Sequence, residues 1–406
     1  MKKKEIFLIG GIILFGLVFQ YFDSGNISFV KGCSSDTKAL KDKSHPHEFK
    51  ENFTFKNSAE ELSFNNDAGS VEISPSTDGL ISVESVKIVY HKDESGVRKY
   101  RDRVEIRNEF EGTKAVVRTI SNGGEFPYTR VRTHFRIFIP GNTRLTIKNR
   151  FGNIKVDNAG SEINIDGKFG DLSISNISSG INIKNRFGKT NISDIKGKIE
   201  LDAKFSEVEV TGSSAIDCRI GHSILYISDI KESKSIKIEG AHTKIELSEI
   251  ESDQIKIKNS HNHIRLGTIT TKDFLLTSRH CSITADELNS DSISIKNSHN
   301  TIRLKNIKGK ELNVLLSNGD LKVSLNSMFE TIFVTNSYSD IFLTIPGGTN
   351  PAISLNTKYG DIKNRTGLDL STVKAKYLTT FSREGEDSRI NINTSYGDIT
   401  LREYSK

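Results

Sequence analysis

Five of the ten histidines in this sequence recur at a nearly constant spacing. They are His222, His242, His261, His280 and His299, and His263 follows two residues after the third of them. Neutral imidazole binds Zn, Cu or Ni, so a fold that gathers these side chains predicts a transition-metal site. Stacked imidazoles also repel one another once protonated, which predicts loosening near pH ~6. The competing interpretation is that the rings are structural and stack at a corner of the fold.

Two sets of charged residues share the same period. Stacked aspartates repel one another, and a hard cation such as Ca²⁺ would relieve the repulsion; alternatively, each Asp bonds its own backbone in a turn. A basic set is suited to anionic glycans or lipid head groups, although such a stripe is also typical of a solvated face. The acidic set is Asp320, Asp340, Asp361 and Asp398, and the basic set is Arg150, Lys168, Arg186 and Lys204.

No motif of catalysis or cofactor binding accompanies these residues. The sequence has no nucleophile elbow, P-loop, dinucleotide fingerprint or H-E-x-x-H, and it lacks the calcium-roll nonapeptide. We therefore predict neither a catalytic residue nor a cofactor.

An internal repeat sets the spacing. The segment SHNHIRL at residues 260–266 returns as SHNTIRL at residues 298–304. Sliding this frame along the chain finds one equivalent residue per repeat, which we call the anchor. The anchors are Phe151, Phe169, Phe187, Phe205, His222, His242, His261, His280, His299, Asn318, Tyr338, Tyr359 and Tyr396.

Apolar residues flank each anchor at fixed offsets. Leu145 and Ile147 precede Phe151 by six and four residues, and Ile154 and Val156 follow it by three and five. Each repeat thus holds two short strands and a bend in about 19 residues, and copies must stack to bury their apolar faces. The predicted fold is all-β: a single-stranded, right-handed parallel β-helix, or β-solenoid. The alternative is an antiparallel meander of hairpins, but the grouping of like anchors favours parallel stacking.

The repeat also divides the chain. Residues 145–406 are predicted to form the regular solenoid, with a loop or a degenerate coil at 364–389. Residues 49–144 have longer, less regular strands and predict an N-terminal cap or irregular first coils, since a solenoid must cover its open end. A separate small β-domain is the alternative. Residues 26–48 are polar and indicate a tether.

The first 25 residues indicate a membrane segment. Lys2, Lys3 and Lys4 precede the apolar run Ile6–Phe22, which is long enough for a short transmembrane helix. The lysines predict a cytoplasmic tip, so the rest of the chain would lie outside the cytoplasm in the cell envelope, anchored in the cytoplasmic membrane. No small-residue cleavage site follows, which favours an uncleaved signal anchor. Export after signal cleavage and lipidation at Cys33 are the alternatives.

Composition excludes other classes. The net charge of +6 is spread along the chain, which argues against a nucleic-acid partner. Three cysteines are too few and too scattered for a disulfide framework. The predicted partners are the membrane, through the N-terminal helix, and an envelope glycan or another surface protein.

Several segments resemble a known family. These are ELSFNNDAGSVEIS (61–74), FRIFIPGNTRLTIKNRFGNIKV (135–156), FGDLSI, YGDIKN and SYGDITL. They resemble the bacterial "putative adhesin" family of β-strand-repeat domains, a family of unknown function, over most of residues 50–402. The resemblance implies a β-solenoid exposed to the cell envelope, with no catalytic residues to carry over. Across His222–His299 the sequence departs from the aromatic-Gly-Asp turn typical of the family.

The predicted function is therefore a non-enzymatic, membrane-anchored, extracytoplasmic β-solenoid with an adhesin-like or structural role. Two alternatives stay open. One is a glycan-active enzyme of the β-helix type, and the other is a metal-binding or pH-responsive envelope module that uses the histidines.

Overall fold

A computed structural model describes residues 45–56, 59–385 and 388–404, and within them the chain is all-β apart from one helix. The N-terminal elements are β1 (Pro46–Thr54), β2 (Glu61–Ala68), β3 (Val71–Pro75), β4 (Ser82–Tyr90), α1 (Glu94–Arg103), β5 (Val104–Glu111), β6 (Lys114–Ser121) and β7 (Val131–Ile139). The strands that follow are β8 (Arg144–Phe151), β9 (Ile154–Asp157), β10 (Ile163–Phe169), β11 (Leu172–Ile177), β12 (Ile181–Gly221), β13 (Ile224–Ala241), β14 (Lys244–Asn297), β15 (Ile302–Lys308), β16 (Glu311–Leu316), β17 (Leu321–Leu325), β18 (Thr331–Asn336), β19 (Ile341–Ile345), β20 (Ala352–Thr357), β21 (Ile362–Arg365), β22 (Ser371–Ala375), β23 (Leu378–Arg383), β24 (Arg389–Thr394) and β25 (Ile399–Glu403).

Successive repeats lie parallel and in register. Ile163 pairs with Leu145 on one side and with Ile181 on the other, so the strands before the anchors form one stack. The strands after the anchors form a second stack, in which Leu172 pairs with Ile154 and Thr190. We call each pair of linked strands a rung. Parallel rungs agree with the solenoid and not with a meander of hairpins; right-handed winding stays a prediction.

The core lies between the two stacks and runs the length of the molecule. The apolar positions flanking each anchor are buried, as at Ile163, Ile165, Leu172 and Ile174, which are at most 3% exposed. Each fully buried aliphatic side chain contributes about 1.5–3 kcal/mol, but only when rungs above and below complete the burial. Thr190 breaks the apolar pattern, yet it is fully buried and its hydroxyl accepts a 2.9 Å hydrogen bond from Asn185.

At the N-terminal end, the spatial order of rungs differs from their order in the chain. Leu62 pairs with Ala115 on one side and with Leu145 on the other, all in parallel. The rung of β2 and β3 therefore lies between the β6–β7 rung and the β8–β9 rung. Residues 49–144 supply these first two rungs, and their core is continuous with the rest. The strands β1, β4 and β5 pair antiparallel and cover this end.

The helix α1 begins next to a side chain that accepts a hydrogen bond from a backbone N–H of its first turn. Asp93 Oδ1 accepts a 2.8 Å hydrogen bond from the backbone N–H of Gly96, as expected of an N-cap aspartate. Val97 packs into a second, smaller core with Ala68, Val89 and Val104. The helix thus closes a corner of the N-terminal end.

The C-terminal end requires a correction. The predicted β-helix, in which each coil stacks on the preceding one, would place the rungs of Tyr338, Tyr359 and Tyr396 in chain order. Instead, Ile390 pairs with Ile332 on one side and with Ile353 on the other, so the last rung lies between two earlier ones. Residues 364–389 form no coil: they contain the antiparallel pair β22 and β23, and β23 pairs with β20.

The described part of the chain contains no helix with the length and apolar character needed to cross a membrane. The segment predicted as a signal anchor, residues 1–25, lies outside the described residues, as does most of the predicted tether.

Candidate functional site

The anchors form one edge of the solenoid, where the first stack turns into the second. Side chains alternate along a strand, so the residue just before an anchor faces outward and the one before that faces inward. Arg150 is accordingly exposed, whereas Asn149 is 2% exposed. Alternation breaks at the anchor, where the chain bends, so a half-exposed or exposed ring lies beside an exposed cation on successive rungs.

Nine anchor rings stack into one continuous surface feature, which we call the aromatic ladder. Successive centroids lie 4.2–5.2 Å apart, and successive planes differ by 5–16°. Its members are Phe151, Phe169, Phe187, Phe205, His222, His242, His261, His280 and His299. Tyr128 extends the stack at the Phe151 end with a centroid distance of 5.1 Å.

The ladder shows ring edges to solvent, because each ring covers the faces of its neighbours. Phe187 and Phe205 nevertheless remain 42% and 40% exposed. The stack ends at His299, since the next anchor is Asn318. A second group of rings follows in the spatial order Tyr338, Tyr396, Tyr359.

The backbone reaches this corner in two ways. At Phe169 the following residue is Gly170, where an added Cβ would lie 2.1 Å from the carbonyl oxygen of Gly152 on the adjacent rung. From His222 to His280 the residue after the anchor is not glycine. There the anchor itself takes the left-handed conformation, with φ of 51–58°. Phe187 and Phe205 do the same at φ of 62° and 54°, and the paired rungs on both sides must offset this cost.

The predicted basic residues lie together beside the phenylalanine part of the ladder. Arg150, Lys168, Arg186 and Lys204 are exposed on consecutive rungs, and we call them the basic stripe. The Arg150 guanidinium lies 5.2 Å from the Phe151 centroid and Lys168 Nζ lies 5.6 Å from that of Phe169, so cations cover ring surface here.

The five histidines of the ladder are adjacent, but their geometry is poor for a shared metal. The planes of His242 and His261 differ by only 7°, at a centroid distance of 4.6 Å. A nitrogen lone pair lies in its ring plane, so lone pairs of parallel rings do not converge on one ion. Within the described residues, no group of three or more His, Cys, Asp or Glu side chains has a metal-binding arrangement.

His263 is separate from the ladder. It lies on the second stack, with Nδ1 2.7 Å from Ser282 Oγ and Nε2 3.2 Å from Thr284 Oγ1. Both ring nitrogens therefore have hydroxyl partners. Burial lowers its pKa, which favours the neutral ring.

Two histidines of the ladder have lowered pKa values. Desolvation within the stack, followed by His222 and His261, lowers the pKa of His242. Desolvation also lowers the pKa of His280, with further contributions from His299, His261 and Arg279. Desolvation thus favours the neutral form of these two imidazoles, and a proton on one ring further raises the cost of a proton on the next.

The predicted acidic column forms a hydrogen-bonded ladder at the turns. The Asp340 carboxylate accepts a 2.9 Å bond from the backbone N–H of Asp398, and the Asp398 carboxylate accepts one of the same length from Asp361. Lys363 Nζ also lies 2.7 Å from Asp398 Oδ2, and these donors lower the pKa of Asp398. Asp320 begins the column next to Asp340, through the bond that the Leu321 backbone N–H donates to the Asp340 carbonyl. Donors on the next rung thus occupy the carboxylates of Asp340 and Asp398, as a structural role requires.

Buried asparagines support the corner from inside. Asn297 Nδ2 donates to the carbonyls of Cys281 at 2.9 Å and His299 at 2.7 Å, and Asn336 Nδ2 donates to those of Gly319 and Ser339. The amides therefore bond to turn carbonyls and not to one another. Cys218 is fully buried, and burial raises the pKa of its thiol to about 12, so it is inert.

Sequence reasoning missed two features that depend on distant residues. Ser70 Oγ lies 2.8 Å from His134 Nδ1. Burial lowers the pKa of His134, and the charge of Arg132 lowers it further. Among the described residues no carboxylate affects the pKa of this imidazole, so a catalytic triad is not indicated. The second feature is a cleft around Tyr226 on the outer face of the second stack. Neither involves a repeated sequence signal.

The fold and the ladder define a class: a parallel β-solenoid whose turns carry a stacked aromatic edge. Residues 220–402 match the family model described as Toastrack DUF4097. This match confirms the resemblance to the "putative adhesin" family of domains of unknown function.

Comparison with solved structures adds little. A putative cell adhesion protein from Clostridium sporogenes is 10% identical, with 89% of this chain and 100% of that chain covered and a TM-score of 0.21. Putative adhesins from Bacteroides fragilis and Parabacteroides merdae are each 11% identical. For the Bacteroides fragilis protein, 87% of this chain and 97% of that chain are covered, with a TM-score of 0.19. For the Parabacteroides merdae protein, 68% of this chain and 92% of that chain are covered, with a TM-score of 0.24. Such low TM-scores support no further inference. No curated protein matches the sequence.

Proposed function

We propose that this chain is a non-enzymatic, adhesin-like β-solenoid that binds an anionic polymer along its aromatic edge. The observation that carries the proposal is the continuous ladder from Phe151 to His299 with the basic stripe exposed beside its first four rings. The stripe repeats a positive charge once per rung, about every 4.8 Å. A linear polyanion that lies along the edge would meet several fixed charges at once, which multiplies weak single contacts.

The test is binding of the purified full-length chain to immobilised polygalacturonate, with dextran as the neutral comparison. We expect binding to polygalacturonate alone, weakening as NaCl rises from about 50 to 500 mM because exposed charges are screened. Replacing Arg150, Lys168, Arg186 and Lys204 by serine should abolish it. The matched control replaces Lys231, Lys234, Lys308 and Lys374 by serine, which removes the same charge elsewhere. Equal loss of binding in both variants would contradict the proposal, because it would show that polygalacturonate binds by non-specific charge attraction.

Release of reducing ends from polygalacturonate would instead support the alternative of a glycan-active enzyme.

The proposal extends to location and winding. Residues 6–22 would anchor the chain in the cytoplasmic membrane, with the solenoid outside the cytoplasm, because lysines precede the apolar run. Protease added to intact spheroplasts should then degrade the solenoid; full protection would contradict this topology.

We also propose right-handed winding, the hand that nearly all parallel crossover connections adopt, and a crystal structure would test it.

A second candidate function is a pH-responsive module. It is favoured by the contact of five imidazoles in one stack, at centroid distances of 4.2–4.9 Å. Protonation would add charge to the ladder next to the basic stripe. If binding of polygalacturonate did not strengthen between pH 7.5 and pH 5, this candidate would be wrong.

A further inference from the structure

A cleft of about 630 Å³ opens on the outer face of the second stack, away from the aromatic ladder. It crosses four rungs near the middle of the solenoid. Its lining includes Glu209, Tyr226, Glu246, Arg265 and Gly267. The function proposed above does not use this face.

Two rows of outward-facing residues shape the cleft. In one row Tyr226 pairs with Glu209 on one side and with Glu246 on the other. The adjacent row has only small side chains, among them Ser248 and Gly267. A Cβ at Gly267 would lie 3.2 Å from Ser248 Cβ, so a larger residue there would fill the end of the cleft next to Ser248.

The groups in the cleft suit a ligand rich in hydroxyls. The partly exposed Tyr226 ring offers an apolar surface at its centre, and Lys244 Nζ lies 5.8 Å from the ring centroid. Carboxylates of Glu209 and Glu246 are acceptors, whereas Arg265 is a donor. An aromatic ring among convergent acceptors and donors matches the alternating apolar and polar surfaces of a sugar ring.

Charge pairing in the cleft favours a neutral ligand over an acidic one. Lys189 Nζ lies 3.4 Å from Glu207 and 3.5 Å from Glu209, and Lys244 Nζ lies 2.8 Å from Glu246. Arg265 lies 3.3 Å from Asp286. An acidic ligand would face the carboxylates of Glu207, Glu209 and Glu246, whose neighbouring cations are already paired, whereas hydroxyl groups can add to these pairs as donors and acceptors.

We propose that this cleft binds a neutral oligosaccharide, with Tyr226 as the aromatic platform and Gly267 as the residue that keeps the cleft open. The site is rigid because paired rungs hold every residue that lines it. Little conformational entropy would be lost on binding, which suits a weak but specific sugar site.

The test is calorimetric titration of the purified full-length chain with cellohexaose, chitohexaose, maltohexaose and mannohexaose, each measured separately. We expect at least one of the four to bind. Tyr226→Ala should weaken that binding by about tenfold or more, the size expected for removing an aromatic contact. Gly267→Leu should abolish it while leaving the tyrosine in place.

Phe342→Ala is the matched control, because Phe342 is another outward-facing aromatic residue on the second stack with a lysine, Lys322, over its ring. It should leave saccharide binding unchanged. Absence of binding by all four hexasaccharides would overturn the proposal, as would equal weakening in Tyr226→Ala and Phe342→Ala. Binding of polygalacturonate should be the same in wild type and Tyr226→Ala, so the two sites are tested independently.

Discussion

The ring of Tyr396 stacks on that of Tyr338 at a centroid distance of 5.1 Å and an interplanar angle of 3°. Tyr359, which precedes Tyr396 in the chain, stacks on its other face at 4.7 Å. The final rung therefore sits inside the solenoid and not at its tip. After the rung of Tyr338, the chain first forms the rung of Tyr359 and the β22–β23 pair. The rung of Tyr396 then forms between the rungs of Tyr338 and Tyr359.

This rung order is testable with paired cysteines in a Cys33→Ser background. Phe333 and Asn391 are aligned neighbours on adjacent rungs, about 4.8 Å apart, which is within reach of a disulfide. We expect Phe333→Cys with Asn391→Cys to cross-link on mild oxidation. Ser354 lies one rung further, on the other side of Asn391, so Phe333→Cys with Ser354→Cys should stay reduced. Cross-linking of the second pair alone, seen by peptide mass mapping, would restore the chain order of rungs.

The core of the histidine segment should be sensitive to cavities. Phe274 is 1% exposed and lies in the first stack, so Phe274→Ala should lower the free energy of unfolding by about 3–5 kcal/mol. Phe333 is 45% exposed, and Phe333→Ala should cost less than about 1 kcal/mol. Urea unfolding followed by circular dichroism measures both. Similar values for the two variants would contradict the burial that we describe.

Close approach of backbones makes the turn at Gly170 intolerant of a side chain. Gly170→Ala would place a Cβ 2.1 Å from the Gly152 carbonyl oxygen and should cost about 1–3 kcal/mol through forced movement of the rungs. At Gly141 an added Cβ meets no atom within 4 Å, so Gly141→Ala should change stability by less than about 0.5 kcal/mol. The same urea titration compares them, and an undisturbed Gly170→Ala would mean that the rungs are less closely packed here.

Stability should fall between pH 7.5 and pH 5. The pKa values of His242 and His280 are lowered in the folded chain, so the unfolded chain binds more protons as the pH drops through the ordinary histidine range near 6.5. The stabilisation is fully present above that range and is lost below it. Carboxylates that titrate near the lower limit, such as Asp67, whose pKa burial raises, contribute equally to every variant compared below.

Replacing histidines of the ladder by phenylalanine should remove part of this dependence. Phe205 already occupies the equivalent position next to His222 in the stack, so His242→Phe and His280→Phe together should fit and flatten the midpoint of thermal unfolding against pH. Phe187→His is the reverse control and should steepen it. An unchanged slope in both variants would show that the ladder does not contribute.

Much of the fold follows from the sequence alone, because a rung is a local unit. The offsets of Leu145, Ile147, Ile154 and Val156 around Phe151 fix which side chains face inward, since alternation along a strand requires no distant partner. Grouping of like anchors then predicts parallel stacking, because only in-register rungs bring such residues together. The stacking of rings along the edge follows from the same regularity.

Only the tertiary structure decides which rungs are neighbours at the two ends. Every rung presents the same backbone donors and acceptors, so hydrogen bonding alone allows the rung of Ile390 to pair with several others. Which edge is free depends on chain segments far away in sequence, such as β22 and β23. Likewise, the parallel ring planes that disfavour a shared metal, and the cleft around Tyr226, require side chains from different rungs. The period is therefore encoded locally, whereas the order of the terminal rungs and the shape of the surface arise from contacts between repeats.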